Sequence, residues 1–149
     1  MPASPDSAIG FFENYLPHLL TLAAIATSRT FDHDLRERGV SLPVWRVMAV
    51  LVERPGETVT GLAKRCLLQQ PTMTKLLDRM ESDRLVRRSP DRQDQRVVRV
   101  SLTKEGAILA TTLVEAAKHH EAELLARYPQ VAAIKEGLRS MVAEHGRLK

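Results

Sequence analysis

A cluster of arginine residues surrounds a short run of turn-forming residues in the segment RRSPDRQDQRVVRVSLT, residues 87–103. Its five arginines are Arg87, Arg88, Arg92, Arg96 and Arg99. Guanidinium groups are permanently charged and bind phosphate oxygens and the edges of bases. Because this charge is concentrated in one loop, the segment indicates contact with an anionic partner, for which nucleic acid is the first candidate.

The residues around the arginines predict a β-hairpin that would present them. Apolar and polar residues alternate over residues 97–102, which is the period of a half-buried strand. Residues 85–88 form a second extended piece, and Ser-Pro-Asp at residues 89–91 supplies turn-forming side chains. The hairpin places Arg92 and Arg96 at its tip and the other three arginines at its base. Those three also fit a solvated strand face without a partner.

The composition fits one globular domain with a basic surface. The chain has 149 residues, 44% of them hydrophobic, and a formal net charge of +4. Cys66 is the single cysteine, so no intrachain disulfide is expected. The apolar run LLTLAAIA lacks the basic residues that precede a secretion signal. We expect a cytoplasmic protein without a membrane span, a cofactor or a metal site.

Six helices are predicted outside the hairpin, because apolar residues recur there at three- and four-residue steps. The first runs from Phe12 to Gly39, and Pro17 either lies in its first turn or kinks it. Ser41 can cap the second helix, which ends at the turn ERPGE, residues 53–57. The fold class is therefore mainly α with a minor β part.

The third to sixth helices follow the same rules. Thr58 can cap the third helix, Thr103 can cap the fifth, and Pro129 can start the sixth. The inward stripe of the fourth helix consists of Met73, Leu76, Leu77 and Met80. Two short amphipathic helices joined by LLQQP and followed by a basic hairpin form the layout of a winged helix-turn-helix.

The outward face of the fourth helix carries short or basic side chains that fit a major groove. Its candidate DNA contacts are Gln70, Pro71, Thr72, Thr74, Lys75 and Arg79. Threonine and glutamine can contact base edges, whereas lysine and arginine can contact bases or phosphates. An arginine at the hairpin tip can enter the narrow minor groove. Together the helix and the hairpin predict a surface for double-stranded DNA.

Residues 41–106 resemble the core of MarR-type transcriptional regulators, and the flanking helices have the lengths expected of that family. The most specific segments are Leu62-Ala63, TKLLDRME in the fourth helix, and DQRVVRVSLTKEG. The residues that match the family's wing signature are Asp94, Arg96, Leu102, Thr103 and Gly106. One departure is Asp83, which stands where members commonly have glycine. Aspartate tolerates left-handed backbone better than most residues, so we expect the turn to be kept.

The resemblance implies a winged helix-turn-helix homodimer that binds a pseudo-palindromic operator as a transcriptional regulator, more often a repressor. It also implies a small phenolic or aromatic carboxylate effector that loosens DNA binding. It assigns Arg96 to the minor groove, with Asp94 orienting it. The implied organisation is one domain over residues 1–149, with a DNA-binding lobe at about 41–106 and dimerisation helices at about 9–39 and 107–149.

Four residues outside the DNA-binding surface are candidates for an effector pocket. They are His18, His33, Trp45 and Arg46. An aromatic ring beside a cation can stack on a flat molecule and pair with its carboxylate, and the two histidines could line the same cleft. Alternatively, Trp45 anchors the second helix in the core and Arg46 is solvated.

Two further features are compatible with sensing but are explained more simply by structure. Cys66 is the fourth residue of an apolar stripe, which favours a buried thiol over a redox sensor. Glu115, His119 and Glu123 have helical spacing that could hold a metal ion. A solvated charged ridge is favoured there, because the histidine spacings of zinc sites are missing.

No motif for catalysis is recognisable. The sequence shows no Ser/His/Asp set, phosphate-binding loop or paired buried carboxylates, so we do not expect an enzyme. The alternative to a DNA-binding regulator is a helical protein-interaction module whose basic hairpin docks on an acidic protein.

Overall fold

The structure, a computed structural model, describes residues 10–147, and this range contains six α-helices and three short strands. In chain order they are α1 Leu16–Glu37, α2 Leu42–Glu53, β1 Glu57–Thr58, α3 Val59–Arg65, α4 Gln70–Ser82, β2 Val86–Pro90, β3 Val98–Leu102, α5 Lys104–Arg127 and α6 Val131–Arg147. The mainly α fold with a winged helix-turn-helix is confirmed. No helix of the described range is long and apolar enough to cross a membrane.

The three strands form one antiparallel sheet in the order β1-β3-β2. β2 and β3 pair along their whole length and form the predicted hairpin, which we call the wing. β1 consists of Glu57 and Thr58, which pair with Val100 and Arg99 on the other edge of β3. The sequence did not predict β1, because two residues are too few to show an alternation.

Side-chain caps begin two of the helices at the predicted positions. Oγ1 of Thr58 accepts a hydrogen bond from the backbone N–H of Gly61, and Oγ1 of Thr103 accepts one from that of Gly106, both at 3.0 Å. These bonds satisfy N–H groups that have no partner within the helix. Ser41 occupies the N-cap position of α2, but its side chain makes no capping hydrogen bond.

The first helix begins later than its apolar periodicity predicted. Residues 11–14 form a turn, and α1 starts at Leu16. Pro17 therefore lies in the first turn of the helix, where its missing N–H costs no hydrogen bond. Gly39 follows the other end of α1 with a φ of 70°, as expected for a glycine that terminates a helix.

The turn between α4 and β2 corrects one expectation. Asp83 has φ −79° and ψ 4°, and the left-handed residue is Arg84, with φ 59°. The N–H of Arg84 donates to the carbonyl of Glu81 at 3.0 Å, and that of Leu85 donates to the carbonyl of Met80 at 2.9 Å. This pair of bonds is the usual helix ending through a left-handed residue. The expectation for Asp83 was therefore wrong by one position.

The hydrophobic core lies where the helix-turn-helix packs on the sheet, the end of α1 and the first half of α5. Its largest fully buried side chains are Leu35, Met48, Leu51, Leu62, Met73, Leu77, Met80 and Leu113. The whole inward stripe of α4 is buried, which fixes the rotation of that helix about its axis. In contrast, α6 has no buried residue over 131–144.

Candidate DNA-binding surface

The outer side of α4 is exposed because its apolar stripe faces the core. Thr72, Thr74, Lys75 and Arg79 are all exposed on that outer side, and Pro71 lies in the first turn. The helix thus presents hydroxyl, ammonium and guanidinium groups in the arrangement that the sequence predicted. Such groups match the donors and acceptors of base edges and phosphates.

Gln70 begins α4, and its side chain is held by a residue of α3. Its Nε2 donates a hydrogen bond to Oγ1 of Thr60 in α3 at 3.0 Å. This bond joins the two helices of the helix-turn-helix across the turn. Thr74 donates its hydroxyl hydrogen to the carbonyl of Gln70 at 3.1 Å, which leaves its oxygen lone pairs and methyl group facing outward.

A groove of about 420 Å³ separates α4 from the wing. Its lining residues are Val59, Thr74, Arg88, Ser89, Pro90 and Val98. Thr74 of α4 and four residues of the wing therefore border the same groove. A winged helix protein that binds double-stranded DNA needs this arrangement. One helix enters the major groove, and the extended wing beside it contacts the adjoining backbone and minor groove.

At the wing tip, Arg92 and Arg96 are exposed, and neither forms an ion pair with any residue in the described range. Asp94 does contact Arg96, but through the backbone: its Oδ1 accepts the N–H of Arg96 at 3.0 Å. The guanidinium of Arg96 is therefore free to reach outward. Asp94 supports the position of this residue by holding its main chain.

The arginines at the wing base have mixed roles. Arg88 forms ion pairs with Asp78 and Glu81 of α4, each at 2.7 Å, and its backbone N–H also donates to Glu81. These bonds from Arg88 lower the pKa of Glu81. Arg99 pairs with Asp91. Of the three, Arg87 alone is an exposed cation with no ion pair among the described residues. Arg88 and Arg99 thus have acidic partners, although the Arg99 side chain is still 47% exposed, and the sequence could not show these pairs.

Trp45 packs at the junction between the lobe and the terminal helices. Its ring meets Phe31 of α1 edge-on, with centroids 5.4 Å apart, and Phe31 stacks on His120 of α5 at 5.5 Å. This aromatic contact chain joins α1, α2 and α5. Trp45 therefore contributes to the contact between α1 and α2.

The other three residues of the predicted effector pocket lie in separate surroundings. His18 contacts the ring of Phe12 at 4.3 Å near the start of α1. His33 is 71% exposed and lies 3.7 Å from Glu37, and Arg46 is exposed on α2. None of these contacts brings the four residues into one cleft. A cleft of about 360 Å³ lies instead between α1, α5 and α6.

The two possible sensing features have ordinary partners. Cys66 is buried in the core, and its burial raises the pKa of the thiol. Glu115 pairs with Lys118 at 2.8 Å, and His119 lies 3.5 Å from Glu123. Within residues 10–147, no three His, Cys, Asp or Glu side chains lie close enough together to hold a metal ion.

Comparison with known proteins agrees with this geometry. Residues 38–97 match the model of the MarR family. A MarR family transcriptional regulator from Silicibacter pomeroyi DSS-3 superposes with a TM-score of 0.84 and 36% identity, covering 91% of this chain and 98% of that one. The homoprotocatechuate degradative operon repressor of Escherichia coli is 39% identical over 102 residues. That match covers 66% of each chain, so the chain spans about two thirds of this relative's length.

A second regulator, TtmR of Methylorubrum extorquens, is 37% identical over 105 residues, which are 70% of this chain and 50% of that protein. The fold and its surface define a winged helix-turn-helix protein that binds DNA. The chain belongs to the MarR family and is a transcriptional regulator.

Proposed function

We propose that the protein acts in the cytoplasm as a homodimer that binds a pseudo-palindromic operator and represses transcription until a small aromatic carboxylate binds. The observation that carries the proposal is the exposed outer side of α4 next to the wing, with a groove between them that Thr74 lines. The exposed groups of α4 suit base edges in the major groove, and the free Arg96 side chain lies beyond them at the wing tip.

The N-terminal end of α4 is proposed to read the sequence. Gln70, Thr72, Thr74 and Lys75 lie at or near this end, whereas Arg79 lies further along and is assigned to phosphate. Loss of a base contact costs about 1–3 kcal/mol and changes sequence preference. Loss of a phosphate contact weakens binding to all sequences alike and makes the salt dependence shallower.

The test of this surface is binding-site selection followed by affinity measurement on the recovered duplex. Arg96→Ala should weaken binding strongly, with the loss felt mainly at AT-rich flanks, where the minor groove is narrow. Arg92→Ala is the matched control, because it removes the same group from the same tip. Arg92 lies outside the residues that match the wing signature, so we assign it to phosphate and expect a smaller loss of affinity. Equal affinity of wild type and Arg96→Ala, with the dimer intact, would refute the wing assignment.

The homodimer is supported by apolar side chains that the single chain leaves uncovered. Exposed examples on α1 and α6 are Leu19, Leu22, Ile25, Ile134, Leu138, Met141 and Val142. Contiguous exposed apolar surface marks an interaction site. A two-fold dimer would place two copies of α4 on successive major grooves, which explains the expected pseudo-palindromic operator.

Repression and the effector class are supported by a relative. The name of the E. coli relative describes a repressor of an operon that degrades homoprotocatechuate, an aromatic carboxylate. An effector can release DNA only to the extent that it binds the non-operator state of the dimer more tightly.

Trp45 offers a direct test of the effector proposal. It is the only tryptophan of the chain, and its contact with Phe31 lies between the lobe and the terminal helices. A ligand that changes the angle between these parts should change the tryptophan emission. Aromatic acids should be titrated against this emission and against the operator complex in parallel. If an acid releases DNA while the emission stays constant, and if Arg46→Ala still responds normally to that acid, the effector pocket does not include Trp45 or Arg46.

A further inference from the structure

Asp91 is an acidic residue in a basic wing, and both of its carboxylate oxygens are engaged. Oδ1 accepts hydrogen bonds from the backbone N–H groups of Gln93 at 2.8 Å and Asp94 at 3.1 Å. Oδ2 accepts a hydrogen bond from Nε of Arg99, with which Asp91 forms an ion pair. Only 14% of the Asp91 side chain is exposed, so this carboxylate belongs to the wing's internal structure.

Arg99 continues the connection from the wing tip to the body of the lobe. Its Nη1 donates to the carbonyl oxygen of Gly56, in the loop before β1, at 2.9 Å. Gly56 is itself fixed to the sheet, since its N–H donates to the carbonyl of Val100 at 3.1 Å. One guanidinium thus bridges the tip turn and the far edge of the sheet.

The connection also runs outward to the arginine assigned to the minor groove. One of the two backbone N–H groups that donate to Asp91 belongs to Asp94. Oδ1 of Asp94 in turn accepts a hydrogen bond from the N–H of Arg96 at 3.0 Å. The carbonyl of Asp94 accepts the N–H of Val97 at 2.9 Å. A continuous series of polar contacts therefore links Gly56 to the backbone of Arg96.

We propose that Asp91 and Arg99 are positioning residues for DNA binding, whose ion pair holds the wing tip so that Arg96 is placed for the minor groove before DNA arrives. The inference rests on the proposed function of the wing. A contact group held in place in the free protein loses less conformational freedom on binding, so its contact contributes more affinity. This role explains a half-buried carboxylate beside a DNA surface, where its charge by itself repels phosphate.

The direction in which one substitution changes operator affinity distinguishes a positioning role from simple electrostatics. Asp91→Asn keeps an acceptor for the tip turn but places an amide against Arg99. It removes a negative charge, so electrostatics alone predicts tighter DNA binding. Positioning predicts operator binding weaker by about five- to tenfold. The matched control is Asp83→Asn, which removes the same charge from an exposed residue without an ion pair in the described range. It should bind equally well or slightly better.

A second substitution separates positioning from direct phosphate contact by Arg99. Arg99→Lys keeps the charge but cannot reach both Asp91 and Gly56 with one planar group. It should lose as much operator affinity as Asp91→Asn, and the double variant should lose no more than either single variant. Retention of wild-type affinity by Arg99→Lys would contradict the positioning role.

A double-mutant cycle with Arg96 excludes a merely structural effect. If Asp91 acts through Arg96, Asp91→Asn should cost little further affinity in an Arg96→Ala background. Helical content and dimer mass are checked for every variant. The idea is overturned if Asp91→Asn binds the operator as tightly as wild type, or if its loss is undiminished in Arg96→Ala. Absence of specific binding by wild type would refute the proposed function instead.

Discussion

The DNA-binding lobe and the terminal helices differ in where their apolar side chains lie. The lobe contributes most of the buried core, including the whole stripe of α4, although Val52, Leu67 and Val98 are exposed. In α6, Leu138 is 38% exposed and Val142 is 72% exposed, and in α1 Ile25 is 55% exposed. The lobe is therefore stabilised by a core that it shares with the end of α1 and the first half of α5, whereas the exposed apolar faces of the terminal helices need a second surface to be buried. In the proposed dimer, this difference separates the part assigned to DNA recognition from the part that would set the spacing between the two copies of α4.

The largest effect is expected from adding one methyl group in the lobe. A Cβ on Gly106, in the first turn of α5, would lie 1.9 Å from the carbonyl oxygen of Leu85. Because that oxygen is backbone, Gly106→Ala should lower the free energy of unfolding by about 3 kcal/mol. Gly137→Ala is the control on α6, where a Cβ meets nothing within 4 Å of this chain. It should raise stability by roughly 0.5–1 kcal/mol in urea unfolding. Equal changes in the free energy of unfolding for Gly106→Ala and Gly137→Ala would contradict the difference in packing between the lobe and α6.

The next effect concerns assembly. Leu138→Glu introduces a charge on the apolar face of α6 and should shift the protein from dimer to monomer at micromolar concentration, measured by light scattering. Ser140→Glu adds the same charge on the opposite side of the same helix and should leave the dimer intact. The near-ultraviolet signal of the lobe should be unchanged in both. A fully dimeric Leu138→Glu protein would show that this face of α6 is not the interface.

A smaller effect is expected at the left-handed residue before the wing. Arg84→Gly should raise stability by roughly 0.5–1 kcal/mol, because a left-handed backbone costs an L-residue about 1–2 kcal/mol and glycine offsets part of this gain through its greater freedom when unfolded. Asp83→Gly should lower stability by about as much, since Asp83 has an ordinary φ of −79°. The reverse order in chemical denaturation would contradict the assignment of the turn.

The smallest effect is a pH dependence confined to acid. Hydrogen bonds from Arg99 and from the backbone of Gln93 and Asp94 lower the pKa of Asp91 from 3.8 to about 2. A lowered folded-state pKa contributes stability above about pH 4, and this contribution is lost as the pH falls towards 2. Wild type should therefore have a higher Tm than Asp91→Asn at pH 5–7, and the two should converge near pH 2. A constant difference down to pH 2 would contradict the ion pair.

Periodicity predicted most of the fold, because helices and a two-stranded hairpin are local. The caps at Thr58 and Thr103, the buried stripe of α4 and the order of the elements were all readable from the sequence. Strand β1 was not, since its identity comes from pairing with a strand about forty residues away. The left-handed turn was misplaced by one residue because a resemblance carries no backbone angles.

The candidate site was predictable only for side chains that face outward. The α4 residues and Arg96 follow from helical periodicity and the wing signature. The partners of Arg88 and Arg99 were not predictable, because Asp78 and Gly56 are distant from them in sequence. The sequence also does not show which of the neighbouring arginines of the wing has a partner. The separate surroundings of His18, His33, Trp45 and Arg46 were not predictable, because proximity between helices depends on packing, which a single sequence does not show.

The spacing between two half-sites shows directly whether the protein recognises DNA as a dimer. Only a dimer that binds with two copies of α4 at once requires a fixed spacing. The operator recovered by selection should be compared with the same duplex carrying a five-base-pair insertion between its half-sites, at constant salt. The insertion turns one half-site to the opposite face of the DNA. The inserted duplex should bind with an affinity at least about tenfold lower, which corresponds to about 1.4 kcal/mol. Equal affinity for both duplexes would contradict recognition by a dimer.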